Sequence, residues 1–196
     1  SPADLTGRRT KGSSMRCRVL QQYVQYLRSQ KAMADAVRVL RSELRRADPD
    51  SDVRDMALDT LSDIDWEKYP AISHEDELLW DVLAGSAPWD YAETRCLKRM
   101  IENAGADARD EVLRRAEKLC ENADPTRSKV VGDLCLTYDA HCTAMRLLSD
   151  AFARLKDDSE RQSAACGLFM AYLHLGRAAE AEEMFPLAAS YLGEIP

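Results

Sequence analysis

Apolar residues recur at helical spacing along most of the chain. Val19, Leu20, Tyr23, Tyr26 and Leu27 open the pattern, and Met33, Ala36, Val37, Leu40 and Leu44 repeat it. Recurrence every three or four positions places such residues on one face of a helix. The stretch ADPDSD stops the second run, because proline cannot continue a helix interior and Asp and Ser are good caps. Start signals then punctuate the chain: Ser51, Ser73 in SHED, Ser86 and Pro88 in GSAPWD, Asp107 with Asp110, Asp124 before Pro125, and Ser159 with Gln162. Gly85, Gly105, Gly176 and Gly193 mark helix ends, where glycine accepts the left-handed conformation at low cost. These signals predict about ten helices, near 14–30, 33–47, 51–64, 74–84, 88–103, 107–122, 125–138, 141–156, 160–175 and 178–192. No segment alternates apolar and polar residues as a half-buried strand would. The expected fold is all-α, with helices joined by short turns as antiparallel hairpins over 14–196, a single domain. Residues 1–13 read as a linker or arm, and the opening SPADLTGRRTKGSS reads as part of a longer or processed chain.

The last hairpin, GLFMAYLHLGRAAEAEEMFPLAASYLG, carries Tyr172, Gly176, Ala181, Phe185 and Ala188. At that spacing it resembles one tetratricopeptide repeat, in which alanines let two helix axes cross closely and large residues fill the surrounding space. Moving back 37 positions gives Cys135, Ala144, Leu148 and Ala151, with Gly132 as a small first-helix position. Moving back 72 aligns Met100, Leu113 and Ala116, with Arg109 in place of the crossing alanine. Moving back 145 aligns Leu27, Ala36 and Leu40, with Lys31 in place of the turn glycine. The likeness is good over 160–193, moderate over 125–156 and weak before, and another kind of helical repeat competes for the N-terminal half. The resemblance implies hairpins stacked as a right-handed α-solenoid whose first helices line a groove.

On that geometry Arg18, Gln21, Gln25 and Arg28 face the groove on the first helix, and Lys129, Asp133 and Thr137 face it later. Arginine offers two parallel donors to a carboxylate, so an acidic peptide suits the first set. The other reading is the solvated side of an amphipathic helix. Met170 and His174 read as packing residues of the most apolar helix. Trp66, Tyr69, Trp89 and Tyr91 read either as partner anchors or as clamps for irregular loops.

Composition and charge narrow the function. Of 196 residues 45% are hydrophobic and 31% charged, a globular balance. The net charge of −7 divides unevenly: residues 1–46 hold eleven basic against three acidic residues, and the remainder sixteen against thirty-one. A +8 head on a −15 body suits acidic partners or head-to-body pairing between copies, with nucleic acid the weaker reading. Six scattered cysteines without a CxxC pair point to a reducing, cytoplasmic setting. No apolar run of about 18 residues suggests a membrane span.

Catalytic signatures are missing. There is no HExxH, G-x-S-x-G or phosphate-loop pattern. His74 sits among capping acids, and Cys135, His141 and Cys142 lack paired zinc spacing, so neither a metal nor a cofactor is expected. The expected role is non-catalytic: an adaptor or scaffold that binds a protein or peptide segment. The alternative is a ligand- or peptide-sensing domain of a larger transcriptional regulator. An apolar final helix (Met184, Phe185, Leu187, Tyr191, Leu192) also suggests self-association.

Overall fold

In the computed structural model the described residues are 14–46, 51–64, 71–86 and 89–193, without the side chain of Leu192. The proposed arm at 1–13 and the aromatics Trp66 and Tyr69 lie outside them. Among the described residues there are nine helices and no strand. They are α1 (Met15–Ser29), α2 (Met33–Leu44), α3 (Ser51–Asp63), α4 (Glu77–Gly85), α5 (Tyr91–Lys118), α6 (Pro125–Thr137), α7 (His141–Arg154), α8 (Asp158–His174) and α9 (Ala178–Gly193). The chain divides into two compact units, Ser1–Ala71 and Ile72–Pro196.

In the first unit α1, α2 and α3 pack on one another. Cys17, Leu20, Val24 and Leu27 of α1 meet Ala36, Leu40 and Leu44 of α2 and Val53, Ala57, Leu58 and Leu61 of α3 in a common buried core. The Ser14 hydroxyl caps α1 by accepting from the Cys17 amide at 3.2 Å. The Cys17 thiol donates to the Asp52 carbonyl at 3.5 Å, fastening α1 to the first turn of α3.

In the second unit consecutive helices pack in turn from α5 to α9, and α6 also touches α8. Leu148 of α7 is fully buried where these helices cross. Its Cγ lies 2.7 Å from where a Cβ on Gly132 of α6 would stand, and its Cδ1 2.8 Å from the same position on Gly167 of α8. Two glycines therefore create the space that one leucine fills, and the three backbones approach closely around it.

Three hairpin turns share one backbone design. After α1, α6 and α8, the amides of Ala32, Ala140 and Arg177 donate to the carbonyls of Leu27, Cys135 and Tyr172 at 2.9, 2.8 and 2.9 Å. The preceding amides of Lys31, Asp139 and Gly176 donate to Arg28, Leu136 and Leu173. This paired pattern closes a helix through one left-handed residue. Lys31, Asp139 and Gly176 are those residues, with φ of 59°, 63° and 69°. Five positions on, Ala36, Ala144 and Ala181 are buried where the second helix starts across the first.

Several boundaries differ from the sequence signals. Asp90 and Glu93 cap α5 reciprocally, so the helix starts beyond Ser86 and Pro88. Asp76 rather than Ser73 caps α4, and the Ser73 hydroxyl instead accepts from the Glu75 amide. Asp157, which accepts from the Glu160 amide at 2.9 Å, caps α8 and leaves Ser159 inside it. Within α5 the backbone at Gly105 is not helical (φ 67°, ψ −174°), so two helical segments meet at a kink there, where the glycine signals an end and Asp107 a new start. Asp124 caps α6 ahead of Pro125.

Candidate functional site

The face of α1 away from the core is built from two side-by-side rows. Arg18, Gln21, Gln25 and Arg28 are all exposed along one side, with no acidic residue in the helix. Met15, Val19, Tyr23 and Tyr26 form the second row, each between 48% and 74% exposed. At 100° per residue these four lie within a quarter-turn of one another, about a third of a turn from the buried row and from the basic row. Val19, Tyr23 and Tyr26 are therefore exposed and not part of the core, although their periodicity groups them with Leu20 and Leu27. Cys17, Leu20, Val24 and Leu27 already fill the stripe that faces α2 and α3, leaving a second apolar stripe in solvent. Arg16 beside it is drawn into an ion pair with Glu43 of α2.

Lys129 and Asp133, on α6 in the second unit, sit one helical turn apart and pair with each other at 3.3 Å. Burial pushes the Asp133 carboxyl above its ordinary range, opposed by the Lys129 ammonium. This pair answers its own charges, and the Thr137 hydroxyl bonds back to the Asp133 carbonyl at 3.0 Å. Met170 and His174 are exposed, not packed inside as expected. His174 instead stacks on His141 of α7, with ring centroids 4.3 Å apart and planes within 10°. A sequence search for histidines one turn apart misses this contact, because separate helices bring the rings together.

A second apolar surface on α8 also escapes the sequence reading. Cys166, Phe169, Met170 and Leu173 are spaced to share one face. Met170 and Leu173 are exposed, and Phe169 meets exposed Phe185 of α9 at a centroid distance of 5.8 Å. The i, i+3, i+4, i+7 spacing was its legible signal.

Trp89 is a clamp and not an anchor. It is buried, donates its indole N–H to the Leu83 carbonyl at 2.9 Å, and lies under the Arg127 guanidinium at 5.1 Å. Arg127 also donates to the carbonyls of Ser86 and Leu119, tying the loop before α5 to α6. Tyr91 remains exposed, with the Arg95 guanidinium 5.7 Å from its ring.

Other chemistry is muted. Burial pushes the thiols of Cys96, Cys120 and Cys135 up to about 12, so they are packing groups and not nucleophiles at neutral pH. Among the described residues no three His, Cys, Asp or Glu side chains converge as a metal site. An open groove of about 540 Å³ between α5, α6 and α7 is lined by charges that already pair, Arg146 with Glu117 and Arg154 with Asp150 at 2.8 Å. No helix among the described residues is long and apolar enough to cross a membrane. Comparison with known proteins gives no matching family model, curated protein or solved structure.

Proposed function

We propose that this chain is a non-catalytic protein–protein interaction module, an adaptor or scaffold of tetratricopeptide-like hairpins stacked as a right-handed solenoid. It works in a reducing, cytoplasmic setting and takes up an acidic, partly apolar protein segment on α1. The observation that carries this reading is the outer face of α1, where a basic and amide row runs beside an uncovered apolar row. Cations steer and orient an acidic partner, while tyrosine and methionine supply contact area at modest entropy cost. The common turn at Lys31, Asp139 and Gly176 supports the repeat architecture, and six cysteines held as thiols and not as disulfides support the reducing setting.

The test is fluorescence anisotropy with a labelled amphipathic peptide of about 20 residues, leucines on one face and glutamates on the other. Arg18→Glu with Arg28→Glu is expected to weaken its binding at least tenfold, about 1.4 kcal/mol, with an unchanged melting curve. Equal affinity for both proteins removes α1 as the binding surface.

A further inference from the structure

Large exposed apolar side chains are not scattered over the described residues. Apart from Tyr91 they are confined to α1 (Met15, Val19, Tyr23, Tyr26), α8 (Met170, Leu173) and α9 (Phe185, Leu187), the first helix and the last two. The α6–α7 hairpin, flanked by α5 and α8, exposes none. The two uncovered regions also differ in sign. α1 holds Arg18 and Arg28, besides Arg16 in its pair with Glu43, and no acid, whereas α8 and α9 together hold five acids (Asp158, Glu160, Glu182, Glu183 and Glu180, the last paired with Arg177) and one base, Arg161.

We infer that the outer face of α1 in one copy docks on the α8–α9 surface of a second copy. The inference rests on the reading of α1 as a docking face and names its partner. Tyr23 and Tyr26 lie against the Met170, Leu173 and Phe185 patch, and the arginines of α1 face the glutamates of α9. Charge selects this pairing: α1 against α1 sets base on base, and α9 against α9 sets acid on acid, both of which are repulsive. The two faces differ, so the contact either closes reciprocally in a dimer or runs on from copy to copy. A contact of one helix on two belongs at the weak end of specific interfaces, so association shows itself at micromolar concentration.

Sedimentation velocity of the whole chain, from about 2 to about 200 μM at low salt, tests this. The weight-average mass is expected to rise above that of the monomer, and the association midpoint to move at least tenfold higher in about 0.5 M salt. Tyr23→Glu with Tyr26→Glu, and separately Leu173→Glu with Phe185→Glu, should each leave a folded monomer by circular dichroism. Mixed together, the two double variants should form a one-to-one complex and nothing larger, since only one intact contact remains between them. Met15→Glu with Val19→Glu replaces the first pair if that pair unfolds. A wild type that stays monomeric throughout overturns the inference, as does a mixture that does not pair. If the chain is monomeric but still binds the glutamate–leucine peptide through α1, the docking face stands and its partner is another protein. If it neither associates nor binds the peptide, both readings fall.

Discussion

Replacing Gly132 by alanine adds one methyl group at the most crowded point of the second unit. The new Cβ falls 2.7 Å from Leu148 Cγ and 3.0 Å from Cδ2, both inside normal contact distance. Leu148 cannot turn away freely, because its Cδ1 already lies 2.8 Å from the Cβ position of Gly167. Overpacking of this kind costs about 1–3 kcal/mol. Alanine returns up to ~1 kcal/mol relative to glycine in a helix interior. The net expectation for Gly132→Ala is a loss of about 1 kcal/mol, whereas an unobstructed site would gain about that much. The decisive comparison is the same change in a Leu148→Ala background, which itself costs about 2–5 kcal/mol. There the methyl enters vacated space, so Gly132→Ala should stabilise by about 1 kcal/mol, a coupling of about 2 kcal/mol. Urea unfolding followed by tryptophan emission measures it, with Trp66 changed to Phe so that the signal comes from Trp80 and Trp89, both buried in the second unit. Leu148→Val serves if the alanine variant is too unstable. An equal effect of Gly132→Ala in both backgrounds, or a gain in the wild type, refutes the account of the crossing.

The left-handed turn residues give an opposed pair of predictions. Lys31→Gly should raise the melting stability of the first unit by about 0.5–1 kcal/mol, because a side chain in this conformation costs about 1–2 kcal/mol and glycine's larger unfolded freedom takes part of that back. Gly176→Ala should lower the stability of the second unit by about 1 kcal/mol, and a Lys31→Gly loss would show that the lysine side chain contributes contacts of its own. Glu93 supplies a pH-dependent case: burial raises its carboxyl above the ordinary range, with the neighbouring Asp90 adding to the effect and backbone hydrogen bonds opposing it. The folded state therefore holds this proton more tightly than the unfolded chain, so stability falls as pH rises from the unfolded value through the folded one. Glu93→Gln keeps an oxygen acceptor for the Asp90 amide and should flatten that part of the pH–stability curve, as read by urea midpoints between about pH 4 and 8. An unchanged slope would place the pH dependence on another group.

The local rules of the fold were largely legible. Helix existence and type follow from periodicity, and Gly176, Ala181 and Tyr172 sit in the turn and crossing that their spacing implies. What local rules leave open is choice between near-equal signals. Ser159 and Asp157 are both competent caps two residues apart, and the backbone closes on the carboxylate. Lys31 is no turn residue by composition, yet it adopts the conformation of Gly176 because the hairpin on either side requires it. Nonlocal contacts were illegible for a firmer reason. Trp89 reads as a loop aromatic until Arg127, from a later helix, covers its ring. Gly132 and Gly167 read as isolated helix weaknesses until Leu148 is seen between them.

The candidate surfaces show the same limit in a sharper form. An apolar residue at helical spacing declares that it shares a face, but not whether anything covers that face. On α1 two apolar rows lie about a third of a turn apart, and summed along the sequence they look like one broad core stripe. Only the packing of α2 and α3 separates Leu20, Val24 and Leu27, which are buried, from Val19, Tyr23 and Tyr26, which are not. The α8 face fails in the same way, since Met170 and Leu173 lie on a helix that also buries Ala164, Leu168 and Ala171 and yet stand in solvent. α1 in the first unit and α8–α9 in the second carry exposed apolar rows of opposite charge, and spacing along the sequence alone tells neither of them from core.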